Sequence, residues 1–318
     1  YISDETDIFY LRTGFDIIQP DGLPTGDPDY PQRLYVGVSS TSPHTEQVVW
    51  KASVGSSDSV DLYYSLTGGA DFPDNGRPPV ENRIVNALGN VAGTENVYDW
   101  AVPHDPDLFT DTGKLRVQGE FSNTVHDASE YNFTIAGIHV FEPLAGQKLN
   151  QGSDFVLKWK TKGAPAGDLA LVEFRQWDEG ASSWGAWQEI SSDTDDVANI
   201  PNNNTDMADP DDYNSVTWTL GDNPADPDFV DLNPRTQVRV TSKTDANTDL
   251  GAGTALLRHV TDEIKVAGLE ITAPTADKLL QVRRQYTVEW TASSLDANSV
   301  MLYYSPDDGA NYTKIDHP

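Results

Sequence analysis

The chain has 318 residues, of which 37% are hydrophobic and 10% aromatic; this is apolar material for about two to three packed domains and too much for a disordered chain. Its 50 acidic and 21 basic residues give a net charge of −29, a field that repels nucleic acid and anionic membrane surfaces, both of which need clustered Lys and Arg. Cysteine is absent, which excludes disulfide scaffolding, thiol catalysis and Cys-based zinc sites.

Of the acids, 37 are Asp and 13 are Glu, and 20 Pro and 24 Gly accompany them. Asp competes with the helical backbone and favours turns, so this composition predicts an all-β chain of short strands and tight turns. No stretch approaches the roughly 20 apolar residues of a membrane span, so no membrane insertion is expected within this segment. The chain begins at Tyr1 with no signal peptide, which reads as a processed piece of a longer exported protein.

In chain order, Phe15-Asp-Ile-Ile-Gln-Pro20 is an alternating strand closed by Pro, and Trp50 follows Pro20 after a long interval. After Trp50 come Val60-Asp-Leu-Tyr-Tyr-Ser65, a Gly turn, Tyr98-Asp-Trp100 and Leu115-Arg-Val117. The pattern restarts at Phe133-Thr-Ile-Ala-Gly-Ile-His-Val-Phe-Glu-Pro143, with Trp159 much sooner after its Pro, then Val216-Thr-Trp218 and Val238-Arg-Val240. It restarts again at Ile264-Lys-Val-Ala-Gly-Leu-Glu-Ile-Thr-Ala-Pro274. Trp290 follows that Pro at the spacing of Pro143 to Trp159, and Val300-Met-Leu-Tyr-Tyr-Ser305 follows Trp290 at the spacing of Trp50 to Val60. Ala136 to Ala267 and Trp159 to Trp290 share one identical offset along the chain, which marks an internal repeat.

These segments alternate apolar and polar residues, as half-buried antiparallel strands do. The expectation is a tandem array of immunoglobulin-like antiparallel β-sandwiches, residues 1–137, 138–268 and a truncated third repeat 269–318. The longer interval before Trp50 marks an insertion in the first repeat near 22–43. The two Trp of each repeat should face each other across one inter-sheet core, and the Ala-Gly pair marks the handover between repeats. The Tyr pairs should each bury one ring and expose the other. The third repeat stops before its second Trp, leaving Trp290 without its sandwich and predicting a parent that continues past Pro318.

The six histidines are scattered, none at helical zinc-site spacing, and no HExxH, GxSxG, Walker-type or dinucleotide motif is present, so no enzyme is expected. The Asp-rich loops carry the candidate chemistry, because calcium takes six to eight oxygens from carboxylates and loop carbonyls. They are Asp105, Asp107 and Asp111; Asp209, Asp211 and Asp212; and Asp222, Asp226, Asp228 and Asp231. None matches EF-hand spacing, and the plainer reading is solvated turns. Trp177, Trp184 and Trp187 lie in a hairpin-like stretch, either as a glycan-stacking platform or as cross-strand packing. Among three glycosylation sequons, Asn203 sits in the loop best placed to carry a sugar.

The order of Pro, Trp strand, Val-x-Leu-Tyr-Tyr-Ser, Gly turn, second Trp strand and Leu-Arg-Val resembles the immunoglobulin-like repeats of bacterial cell-surface and surface-layer proteins. That resemblance covers framework residues and carries over no catalytic group. It implies an extracellular, cell-surface structural protein that packs with copies of itself in a lattice or filament. The alternative is a carbohydrate-binding or adhesin module that contacts cell-wall or surface glycans. The acidity fits either a high-salt setting or calcium-dependent assembly.

Overall fold

A computed structural model describes residues 14–27, 31–53, 58–122, 124–190, 200–221, 230–244, 257–275, 278–281, 283–295, 300–307 and 309–315. The first repeat contains β1 (Phe15–Gln19), β2 (Arg33–Tyr35), β3 (His44–Ala52), β4 (Ser59–Ser65), β5 (Arg83–Gly89), β6 (Glu95–Val102), β7 (Thr110–Gly119), β8 (His126–Ala128) and β9 (Phe133–Glu142). The second contains β10 (Lys148–Asn150), β11 (Ser153–Lys162), β12 (Leu169–Asp178), β13 (Ser183–Trp184), β14 (Gln188–Glu189), β15 (Ile200–Pro201), β16 (Asn214–Leu220), β17 (Asn233–Ser242), β18 (Arg258–Val260) and β19 (Ile264–Ala273). β20 (Glu289–Ser293), β21 (Tyr303–Tyr304) and β22 (Thr313–Lys314) belong to the third.

Each of the first two repeats is a sandwich with one strand order. In the first, β1-β3-β6 faces β9-β7-β4-β5, and β2 adds in parallel to the edge of β9. In the second, β9-β11-β16 faces β19-β17-β12, and β10 adds in parallel to β19. A three-stranded antiparallel sheet opposite a larger one, with an early strand crossing to pair in parallel with the last, is the immunoglobulin-like order. The protein is all-β, built from tandem immunoglobulin-like sandwiches.

The core follows from the alternation. Trp50 and Trp100 in the first sandwich, and Trp159 and Trp218 in the second, are all at most 6% exposed. They do not face each other across the core as their spacing predicts: each pair lies on neighbouring strands of one sheet, β3 and β6 in the first and β11 and β16 in the second. Burying an indole of this size is worth about 4–6 kcal/mol by area. Each early Trp also needs a partner for its N–H, and Asn supplies it both times: Trp50 Nε1 donates to Asn90 Oδ1 (2.9 Å) and Trp159 Nε1 to Asn202 Oδ1 (3.0 Å). Trp290 remains 40% exposed.

One expectation fails at the Tyr pair. Tyr63 is only 1% exposed, yet it lies on the face of β4 turned away from the apolar core, and Tyr64 stacks on Trp100 at 5.9 Å. The loop after β4 folds back over that outer face and creates a second, polar layer. There Asp61 accepts from Tyr63 Oη, Arg77 and the Ala87 N–H, while Arg116 donates to the Pro73 carbonyl and Gln118 to that of Gly76. Tyr303 and Tyr304 are both about half exposed, at 49% and 51%.

The sandwiches share strands. Phe133 to Ala136 of β9 pair with β7 and β2, and from Gly137 onward β9 pairs with β11. β19 repeats this: Lys265 to Ala267 pair with β10, and Gly268 onward with β20. The glycines serve close approach. A Cβ on Gly137 would lie 2.5 Å from Phe109 Cζ and 2.6 Å from Val36 Cγ2, and one on Gly268 would lie 2.5 Å from Leu232 Cδ2.

Candidate functional site

The joint between the first two sandwiches is where the described residues bring chemistry together. The insertion near 22–43 is two pieces. Leu34 of β2 lies farther from Pro20 than Leu149 of β10 lies from Pro143, and Trp50 lies farther from Leu34 than Trp159 lies from Leu149. Extra residues therefore both precede and follow β2, and the second piece reaches across the joint. Val260 of β18 donates its N–H to the Val38 carbonyl (2.8 Å), and Ser40 Oγ donates to Asp262 Oδ1 (3.0 Å). Tyr35 packs against the second core and Met207 against the first, so each sandwich lends a side chain to the other. Lys162 Nζ pairs with Asp111 Oδ2 at 2.6 Å across the same boundary.

Three histidines line this joint. His104 comes from the segment after β6, His139 from β9 and His259 from β18, and one ring nitrogen of each lies within 4.8 Å of the others. Their partners assign the protons. The Gly37 carbonyl can only accept, so His104 Nδ1 carries a hydrogen and donates it (2.6 Å). In a neutral His104, Nε2 then holds the lone pair, which accepts from His139 Nδ1–H at 2.9 Å. The Val140 N–H donates to His259 Nδ1 (2.8 Å), which puts the His259 proton on Nε2. Burial favours the neutral form of all three rings. It lowers the His104 pKa, pushes that of His139 down to about 4 with help from the His104 charge, and drives that of His259 well below 6.5.

The rings stack: His104 and His259 lie 4.0 Å apart at 13°, and His139 and His259 lie 5.0 Å apart at 15°. Phe141 stands edge-on to His139 at 4.6 Å. A metal lies in the plane of each imidazole that binds it. An ion in the plane of His104 would sit off the plane of the nearly parallel His259. Coordination through His259 Nε2 would also strip that ring of its remaining proton while Val140 holds Nδ1. The arrangement fits a neutral hydrogen-bonded stack and does not fit a shared metal. A cleft of about 260 Å³ opens beside it, lined among others by Phe141, Leu144 and Asp262.

Among the described residues, none of the acidic loops gathers three carboxylates on one point. Asp105 Oδ1 caps the short 3-10 turn Pro106–Leu108 through the Asp107 N–H (3.0 Å), and Asp111 is paired with Lys162. In the second loop Asp209 Oδ1 accepts from the Asp211 N–H (2.9 Å), and Asp212 Oδ2 from the Asp206 N–H (2.6 Å). The carbonyls of Asp206, Met207 and Asp209 converge on the Lys160 ammonium, which also lies 5.0 Å from the Tyr213 ring. That loop is wrapped round a cation the chain itself supplies. Asp231 is exposed and its carbonyl accepts from Gln176 Nε2 (2.7 Å); Asp222, Asp226 and Asp228 lie outside the described residues.

The tryptophan hairpin is a ladder. Trp177 and Trp184 face each other across β12 and β13 at 82°, so the rings are crossed. Arg235 lies 4.0 Å from Trp177 and 5.4 Å from Trp184; Arg175 lies 4.8 Å from Trp184 and 4.5 Å from Trp187; Arg239 lies 4.3 Å from Trp187. The guanidinium groups are anchored in turn on Glu263, Gln237 and Glu173. Crossed, half-buried rings interleaved with Arg do not make the flat open platform that sugar stacking needs. Asn203 has an exposed side chain on a loop tied down by two bonds to Asn214.

Sequence reasoning missed the histidine joint, because its members lie far apart along the chain and in different repeats. The Arg half of the ladder did leave a signal: Arg235 and Arg239 alternate with Gln237 along one strand face, opposite the Trp-bearing hairpin.

No protein-family model matches the chain, and no curated protein matches it. Among solved structures, the two tandem V-type regions of VCBP3, a v-region-containing chitin binding protein, align over 80% of this chain and 99% of their own, with 10% identity and a TM-score of 0.21. Murine CEACAM1b aligns over 80% of this chain and 98% of its own, with 8% identity and a TM-score of 0.18. Similarity this low carries no argument about function, and the fold assignment rests on the strand order above. No helix among the described residues is long and apolar enough to cross a membrane.

Proposed function

We propose that the chain is a segment of a structural cell-surface protein whose tandem sandwiches, divided at Gly137 and Gly268, form a stiff rod. The rod packs with copies of itself in a surface layer or filament outside the cell. The joint is the observation that supports this reading: β9 belongs to both sandwiches, and the residues after β2 bond the first sandwich to β18 of the second. A module evolved to swing on a tether would not share a strand with its neighbour. The −29 charge supports an extracellular, salt-rich or calcium-containing setting, where counterions screen copies from one another.

Calcium enters as a ligand of contacts between molecules, at exposed acidic loops, and glycan attachment at Asn203 would face outward. The adhesin or carbohydrate-binding alternative draws on Trp177, Trp184 and Trp187, and loses force because their neighbours are guanidinium groups. Electron microscopy of the intact purified protein, first in calcium and then in chelator, tests the assembly. Ordered sheets or filaments that disperse on chelation are the expected result. Dispersed single particles under both conditions contradict it.

A further inference from the structure

We propose that His104, His139 and His259 form an acid-sensitive latch, which holds the first two sandwiches in one orientation and releases them when the imidazoles take up protons. The latch follows from the joint itself and stands whether or not the molecule assembles on a surface.

The His139-to-His104 and Val140-to-His259 hydrogen bonds each need a neutral imidazole nitrogen as acceptor. His104 Nε2 and His139 Nδ1, 2.9 Å apart, have room for one proton between them, so protonating both rings leaves two donors with no acceptor between them. A proton on His259 Nδ1 would do the same to the Val140 N–H. Charged rings would then stack at 4.0–5.1 Å. Two carboxylates face the cluster, Asp105 before the 3-10 turn and Asp262 after β18, and both favour protonation. Lys160, directly opposite His139 in the β9–β11 register, opposes it, and Arg258 precedes His259 in β18. Burial outweighs the carboxylates, since all three folded values lie below 6.5.

The sign follows from proton linkage. The opened joint binds more protons than the closed one below pH 6.5. Closure is therefore fully stable above that value and is lost as pH falls towards the His139 value of about 4. Each imidazole contributes up to about a ten-fold shift in the closed-to-open ratio per pH unit. The overall charge acts the other way over the same range, because acidification reduces the self-repulsion of a −29 chain.

Hydrogen exchange on the whole chain between pH 7 and 4.5, corrected for intrinsic rates, reads the latch directly. Protection of the Val140 and Val260 amides should fall about ten-fold or more, while Val172 and Val240 in the second core keep theirs. The double variant H104N/H259N keeps a donor for the Gly37 carbonyl and an acceptor for Val140, leaves only His139 of the three to titrate, and should lose much less protection than the native chain. Flat protection at Val140 and Val260 in the native chain overturns the proposal, as does an equal loss in the double variant. Imidazole titrations followed by NMR in the native chain give a second reading that needs no variant. Rings that protonate near pH 6.5 while the joint amides stay protected would also overturn it.

Discussion

Asn202 does more for the second sandwich than its single letter suggests. Its Oδ1 accepts from Trp159 Nε1 (3.0 Å) and Thr161 Oγ1 (2.6 Å), and its Nδ2 donates to Asp168 Oδ2 (2.6 Å), with all four residues at most 2% exposed. Removing it strands three buried polar groups at once, whereas Asn90 in the first sandwich is only part-buried where it meets Trp50. Asn202→Ala should therefore cost about 3 kcal/mol and Asn90→Ala about 1–2 kcal/mol, each read from urea unfolding. Equal losses, or the reverse order, would show that the indole partner is not what these residues supply. None of this was legible beforehand: the Trp residues announced a core through their spacing, but an Asn among many in a polar chain carries no mark of being the one that is buried.

The handover strands are the elements on which the architecture turns, and their glycines are unequal. At Gly137 the added Cβ meets the aromatic ring of Phe109 and the branched end of Val36, in a core with no slack. At Gly268 it meets the movable Cδ2 of Leu232, with Gln151 Cβ next at 3.2 Å. Gly137→Ala should cost about 2–3 kcal/mol and Gly268→Ala about 1 kcal/mol or less, measured by thermal unfolding. The Gly137→Ala loss should shrink in a Phe109→Leu background, and a double-mutant cycle with no coupling would exclude the ring as its cause. The Ala-Gly pairs themselves were readable as handover points because they recur at one offset. Their reason was not, since Phe109 is distant in sequence and only the fold brings it under the strand. β2 was hidden inside the insertion for a related cause: so short a strand gives no periodicity to detect.

For the whole molecule, the all-β class, the tandem arrangement and the burial of a Trp pair in each sandwich could be read from alternation and repeat spacing, which are local or periodic signals; the strand order, and that each Trp pair shares one sheet, could not. The joint could not, because His104, His139, His259, Val38 and Asp262 meet only after two sandwiches have folded. The acidic loops are ambiguous in the sequence for the opposite reason: closely spaced Asp reads alike whether the residues converge or cap their own turns. The central claim is that β9 and the residues after β2 fuse two sandwiches into one stiff body at neutral pH. With no cysteine in the chain, Val97→Cys in the first sandwich and Val156→Cys in the second, 55% and 45% exposed, give two unique spin-label sites. Pulsed electron–electron resonance at pH 7 should return one narrow distance, unchanged by calcium or chelator. A broad distribution, or one that sharpens only when calcium is added, would mean that the sandwiches pivot and that the joint described above does not hold them.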